Sequence, residues 1–269
     1  MIIDFHAHIF PDKIASATIS ALSKNAGIKA HSTGDYAGLV SQMEKSGIDI
    51  AVNLPVVTKA SQFDSITDFS YQINQKSTTT HRIISFAGIH PDSVDYESEL
   101  EKIKSLGFLG IKIHPDYQGT FFDDKKYIKI LSYAKKLDLI TVTHAGVDGA
   151  FIGQEIKCTP YRVLRLLDAL GGYEKLVLAH MGGNELFDDV ANNLAGENVY
   201  FDTAYVLPYY SKEMFETILE KHGADKILFA TDSPWQDLSC HVNRLLSYGL
   251  DEKTQNKIFY ENAKGLLNL

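Results

Sequence analysis

The sequence predicts an α/β protein of the (β/α)8 TIM-barrel class, and three observations predict it. Eight short apolar runs alternate with stretches of helical periodicity along 269 residues. Several runs, such as ILFAT at 227–231 and LVLAH at 176–180, are apolar almost without alternation, as strands buried on both faces are. Six of the ten histidines stand at the C-terminal end of such a run or just past it, which is where barrels of this class carry their chemistry.

Taken in order, the strands are expected at Ile2–His6, Ile48–Val56, Arg82–His90, Phe108–His114, Leu139–His144, Lys175–His180, Val199–Tyr205 and Lys226–Thr231. Between them, Leu39, Val40 and Met43 are spaced for one face of a helix over Tyr36–Lys45. Val163, Leu164, Leu166, Leu167 and Leu170 do the same over Tyr161–Leu170. The segment from Pro11 to Gly34 is long for a strand-to-helix connection and reads as a loop with a short helix over the barrel mouth. A doubly wound sheet of this length would put a glycine-rich turn after its first strand if it bound a dinucleotide. That position holds HAHIFPDK instead. No break in composition and no Pro/Ser-rich linker divides the chain, so residues 1–269 read as one domain.

With 45% apolar residues the chain can bury a substantial core. The net charge of −8 and the lack of Lys/Arg blocks interleaved with aromatics exclude a nucleic-acid footprint. Cys158 and Cys240 are far apart and belong to no CxxC pair, which reads as two reduced thiols. The opening apolar run is too short for a secretory leader, and no uncharged apolar stretch approaches the ~20 residues that span a bilayer. The expectation is a cytoplasmic protein with a small-molecule substrate and no membrane or nucleic-acid partner, its oligomeric state open.

The opening MIIDFHAH places His6 and His8 two residues apart, so that both rings face one side of a strand. His90, His114, His144 and His180 end later strands, and Asp232 ends the eighth in TDSPW. Imidazoles and a carboxylate gathered at strand ends are ligands for a divalent metal, Zn2+ first and Mn2+ or Fe2+ next. Such an ion lowers the pKa of a bound water toward ~7, and a nearby carboxylate or imidazole then moves its proton.

The motifs DFHAH, GIKIHP, VTHAG, LAHMGG and ATDSPW, in this order, resemble the amidohydrolase superfamily. The match is to its amidohydrolase-related branch, similar to decarboxylases of amino-carboxymuconate semialdehyde type. The resemblance implies one metal held by His6, His8, His144 and Asp232, with His180 positioning or deprotonating the metal-bound water. Two-metal branches carry a carboxylated lysine on the fourth strand, and Lys112 sits near that place. The branch resembled here uses one metal, and Lys112 reads instead as the holder of a substrate carboxylate. GIHP and TDSPW also resemble deoxyribonucleases of TatD type, but the bridging Glu of those enzymes has no counterpart here, where His90 and His114 stand. Lys112, His114, Tyr205 and Trp235 are the candidate substrate contacts. His90 and His114 also read as turn residues before Pro91 and Pro115, and His81, preceding its strand, as a bottom-face residue. The first expectation is hydrolysis of an amide, lactone or ester by metal-activated hydroxide, with His180 and Asp232 handling protons. The second is non-oxidative decarboxylation of an unsaturated or aromatic acid, and a catalytically silent ligand-binding barrel ranks below both.

Overall fold

The computed structural model describes residues 1–76 and 82–269, so the reading of His81 lies outside the described residues. The strands are β1 (Ile3–Ala7), β2 (Ile50–Asn53), β3 (Arg82–Ser85), β4 (Ala87–Gly88), β5 (Gly110–Ile113), β6 (Ile140–Thr143), β7 (Leu176–Leu178), β8 (Tyr200–Asp202) and β9 (Ile227–Leu228). All pairings are parallel, in the orders β1-β2-β3 and β4 through β9. β3 and β4 are one stave interrupted at Phe86, whose N–H donates to the Asn53 carbonyl at 2.9 Å. The circle closes where Phe5 N–H reaches the Phe229 carbonyl (2.9 Å) and Asp232 N–H reaches the His6 carbonyl (2.8 Å). Eight staves and their helices make the (β/α)8 barrel.

The interior is filled by Ile3, Phe5, Val52, Ile84, Phe86, Val142, Val177 and Leu228, which pack together although they come from six staves. Ala263, Leu266 and Leu267 of the C-terminal helix Asn262–Leu267 join them. The opposite strand faces, such as Ile111, Ile113, Leu178 and Phe201, pack against the surrounding helices. Phe5 thus points inward, and so does its neighbour His6, which touches Lys112 and Asp202 across the barrel. Adjacent residues of a regular strand point to opposite faces. The phase changes because the β1–β2 register slips between Asp4 and Ala7. The slip is a bulge, the device that re-aims side chains beside active sites. The Asp4 carboxylate holds it, accepting from His6 N–H (3.1 Å), Thr231 N–H (2.9 Å) and the Thr231 hydroxyl (2.6 Å).

The two expected helices are present as Tyr36–Ser46, capped by Asp35 on Gly38 N–H, and Pro160–Leu170, capped by Thr159 on Arg162 N–H. The segment after β1 departs from expectation. Asp12–Ala26 is a helix of 15 residues, not a short one. Only Ala15 is fully buried, with Ile19, Leu22 and Ala26 of the same face half-buried, so its apolar stripe is narrow, and the left-handed Gly27 ends it. Its last residue lies over the backbone at Gly149, in the loop after β6, which puts it at the mouth. Among the described residues no helix is long and apolar enough to cross a membrane.

Candidate metal centre

At the C-terminal ends of the staves the structure brings His6, His8 and Asp232 together. His6 Nε2 and His8 Nε2 are 3.2 Å apart, and Asp232 Oδ1 lies 3.2 Å from the second and 3.6 Å from the first. A tetrahedral ion with bonds of ~2.0–2.1 Å sets its ligands about 3.3 Å apart. The three atoms already form the face of such a tetrahedron.

The tautomers follow from the other ring nitrogens. His6 Nδ1 donates to Asp202 Oδ2 (2.8 Å) and His8 Nδ1 donates to the Leu54 carbonyl (2.8 Å). Neither oxygen can donate, so both Nε2 atoms carry lone pairs. Burial and the nearby Lys112 charge hold His6 well below the usual histidine range, which keeps it neutral. Two lone pairs and a carboxylate oxygen therefore face one another, an arrangement that a cation satisfies.

His144 has the same design. His180 Nδ1 donates to the Ala204 carbonyl (2.9 Å), so with neutral rings its Nε2 accepts from His144 Nδ1 (2.9 Å). That leaves a lone pair on His144 Nε2, which is buried and has no hydrogen-bond partner. A buried acceptor without a partner is costly and rare, and a metal is the partner that fits this one. Burial, with His114 and His180 alongside, pushes His144 well below the usual range. Each candidate imidazole thus has its Nδ1 proton held by a second group, the arrangement that orients metal-binding histidines.

A second group is His114, His144 and Asp148. His114 Nε2 lies 3.2 Å from Asp148 Oδ2, and the rings of His114 and His144 stack at 4.2 Å with 9° between their planes. Stacked rings direct their lone pairs in parallel and do not converge on one ion. This group is a donor–acceptor pair laid against a candidate ligand.

Lys112, 1% exposed, reaches into the barrel with Nζ 3.1 Å from His6 Nε2. Burial pushes its pKa down to about 8, while the charges of Asp202 and Asp232 resist that fall. It remains an ammonium at neutral pH. Asp202 is the residue that sequence reasoning missed. Its second oxygen accepts from His180 N–H (3.0 Å) and Ala204 N–H (3.1 Å), and burial raises its pKa to about 6. The signal was a lone carboxylate inside the apolar run VYFDTAY. Tyr205 meets the His180 ring edge-on at 6.4 Å and leans on Tyr209, while Trp235 is half-buried one turn beyond Asp232. His90 accepts the Asp92 N–H in a turn.

Three of the strand-end residues, His180, Tyr205 and Asp232, have φ of 60°, 66° and 67°. This left-handed region is uncommon outside glycine and marks functional sites.

Comparison with known proteins bears on the fold and the family. No curated protein matches the chain. Among solved structures it is similar to a 2,6-dihydroxybenzoate decarboxylase complexed with 2,6-dihydroxybenzoate, with TM-score 0.73 and 19% identity over 100% of this chain and 99% of that one. It is similar to 5-carboxyvanillate decarboxylase from Sphingomonas paucimobilis, with TM-score 0.72 and 16% identity over 100% and 99%. A dihydroxybenzoic acid decarboxylase from a Polaromonas species, holding manganese and the inhibitor 2-nitroresorcinol, gives 0.74 and 17% over 100% and 97%. At such identities the likeness is one of fold. The model of the amidohydrolase family, by contrast, matches residues 3–269. With its barrel, its histidine-rich strand ends and this match over nearly the whole length, the chain belongs to the amidohydrolase family.

Proposed function

We propose that this chain, as a single domain over 1–269, is a metal-dependent decarboxylase of an aromatic or unsaturated carboxylic acid. The observation that carries the proposal is the engagement of His180. Of the two proton carriers that hydrolysis was expected to use, His180 is engaged, since its Nε2 lone pair already accepts the His144 N–H at 2.9 Å, which leaves Asp232 alone. Carbonyl hydrolysis, the first expectation from sequence, therefore ranks second. The decarboxylases of like fold support the same order.

In this reading His6, His8, His144 and Asp232 hold one divalent ion. When bound, the ion supplies positive charge that orients a carboxylate and stabilises charge developing on the ring. The manganese of a structural relative supports Mn2+, and Zn2+ and Fe2+ suit the same donors. Lys112 binds the substrate's anionic end, since a buried ammonium needs a counter-charge. Tyr117 and Phe151, edge to face at 5.0 Å, and the Tyr205–Tyr209 pair at 5.3 Å offer aromatic faces to a planar substrate. As carbon dioxide leaves, the electron pair of the broken bond stays on the ring carbon. That carbon receives one proton from water, relayed through the Asp232 carboxylate, which ends the step as it began, and hydroxide is left. His180 fixes the tautomer of His144.

The test is a panel of aryl and unsaturated acids, with lactones and amides alongside, on Mn2+-loaded protein in D2O. Carbon dioxide release with one deuteron at the vacated carbon is expected. Turnover of lactones or amides with no acid losing carbon dioxide would refute the proposal.

A further inference from the structure

The proposed reaction uses His6, His8, Lys112, His144, His180 and Asp232, and leaves the pair His114–Asp148 without a task. We infer that Asp148 selects substrates carrying a proton-donating ring substituent, hydroxyl or amino, on the edge opposite the carboxylate. The inference rests on the decarboxylase reading and adds which acids the site accepts.

The two oxygens of Asp148 do different work. Oδ1 accepts the Ala150 N–H at 2.7 Å and caps the turn Gly149–Phe151, an ordinary structural role. Oδ2 is not needed for that cap. It takes the His114 Nε2–H at 3.2 Å and keeps a second lone pair. Among the described residues no lysine or arginine pairs with Asp148, and its partner there is the His114 imidazole. His114 in turn spends Nε2 on Asp148 and receives the Tyr117 N–H on Nδ1 at 3.5 Å. The free acceptor on this side of the site is thus the carboxylate. Asp116, buried nearby with one oxygen unpartnered, adds to the demand for a donor.

Placement gives the polarity. Lys112 and His114 are two residues apart on one stave, so both face the barrel axis. Lys112 is the deeper, and about 6.6 Å of strand separates them, the scale of a single benzoate ring. His114 lies flat on His144 at 4.2 Å, which sets Asp148 one imidazole away from a candidate metal ligand. An acid entering carboxylate first meets Lys112 at the bottom, and its far edge comes level with Asp148. A second anionic group there would be repelled. A hydroxyl or amino group would donate to Oδ2.

The test measures dissociation constants of 4-hydroxybenzoate, 4-aminobenzoate and 4-methoxybenzoate with Mn2+-loaded protein by titration calorimetry. The wild type, Asp148→Asn and Asp148→Ser are compared, since Asn and Ser both preserve the cap. Wild type is expected to bind the hydroxyl or the amino acid about ten- to hundredfold more tightly than the methoxy acid, the value of a hydrogen bond to a charged group. The two arms show which donor is preferred. Both variants are expected to lose the discrimination while binding the methoxy acid as wild type does. Equal affinities in wild type overturn the inference, and so does discrimination that survives in a variant. If neither variant folds, as judged by thermal melting, the wild-type ratio alone decides. Binding without loss of carbon dioxide sinks the decarboxylase reading while the affinity ratio still tests this one. No binding by any aryl acid sinks both.

Discussion

Replacing Asp202 by Asn isolates the contribution of a residue that touches no metal. Asp202 makes three hydrogen bonds: one oxygen accepts from the backbone at His180 and Ala204, and the other accepts from His6 Nδ1 at 2.8 Å. Asn keeps the first two, because its carbonyl can face the same N–H groups, so the local backbone stays in place. Its amide then turns an N–H toward His6 Nδ1. To accept it, His6 must move its proton to Nε2, the atom that faces His8 and Asp232. The ligand lone pair disappears unless the amide bond is given up. Partners of this kind change metal affinity by about 10–100-fold, or about 1.4–2.7 kcal/mol. His6→Ala, which deletes the donor itself, is expected to lose most of the bound metal. The assay is competition with a chelator of known affinity, on Asp202→Asn, His6→Ala and wild type, with melting curves to show that each is folded. An Asp202→Asn affinity within about threefold of wild type would refute the second-group role assigned here.

Other expectations follow from the same geometry. His180→Ala should retain its metal with affinity and activity each lowered about 10–100-fold, whereas His144→Ala should lose most of the metal; equal losses on metal analysis would remove the distinction drawn between them. Lys112→Met removes a buried ammonium and keeps similar volume, so it should melt higher than wild type, bind one equivalent of metal, and raise KM for the acid. Two equivalents in wild type falling to one in the variant would point to a carboxylated, bridging lysine instead. His222 accepts the Gly196 N–H at 3.1 Å and stacks on Phe201 at 3.7 Å, and burial lowers its pKa from 6.5 to about 4. The unfolded chain therefore binds this proton first, and stability present above pH 6.5 is lost as pH falls toward 4, by about 3 kcal/mol at the limit. Urea midpoints of metal-free protein between pH 7 and pH 4.5 should fall less in His222→Gln, and parallel curves for the two proteins would contradict this.

The sequence made the barrel legible because buried parallel strands read as uninterrupted apolar runs, and ILFAT and LVLAH need no partner to be recognised. It gave only a short helix where Asp12–Ala26 stands, because the apolar face of that helix is narrow and only partly buried. Strand-end placement gathered six histidines and Asp232, the resemblance singled out His6, His8, His144 and Asp232 among them, and the structure brings His6, His8 and Asp232 together. What holds their tautomers could not be read, because the Leu54 carbonyl, Asp202 and His180 arrive from other staves. The bulge in β1 was equally hidden. DFHAH reads as simple alternation, and only the slipped register shows that Phe5 and His6 both face inward. Asp148 was passed over as a loop residue because its partner His114 is 34 positions away and on a different stave.

The barrel gathers several unfavourable features at its mouth. At the other end, Ile3 and Phe5 of β1 share an apolar cluster with Leu266 and Leu267. At the mouth, three side chains occupy left-handed backbone that glycine would adopt with ease, at about 1–3 kcal/mol each. Glycine would relieve the strain but remove the imidazole, the carboxylate or the aromatic ring that projects over the axis. In the same few ångströms, acceptors face acceptors at 3.2 Å, a lone pair on His144 is buried without a partner, and the Lys112 ammonium is buried 3.1 Å from His6 Nε2. Each of these is unfavourable alone, and one cation with one anionic substrate converts them together. The cation turns the facing lone pairs into ligands, and the substrate's carboxylate neutralises Lys112. A ligand that binds only the folded state adds its binding free energy to stability. The features that are unfavourable on their own are therefore the source of the site's affinity, and eight interlocked staves give the strength to hold them in place.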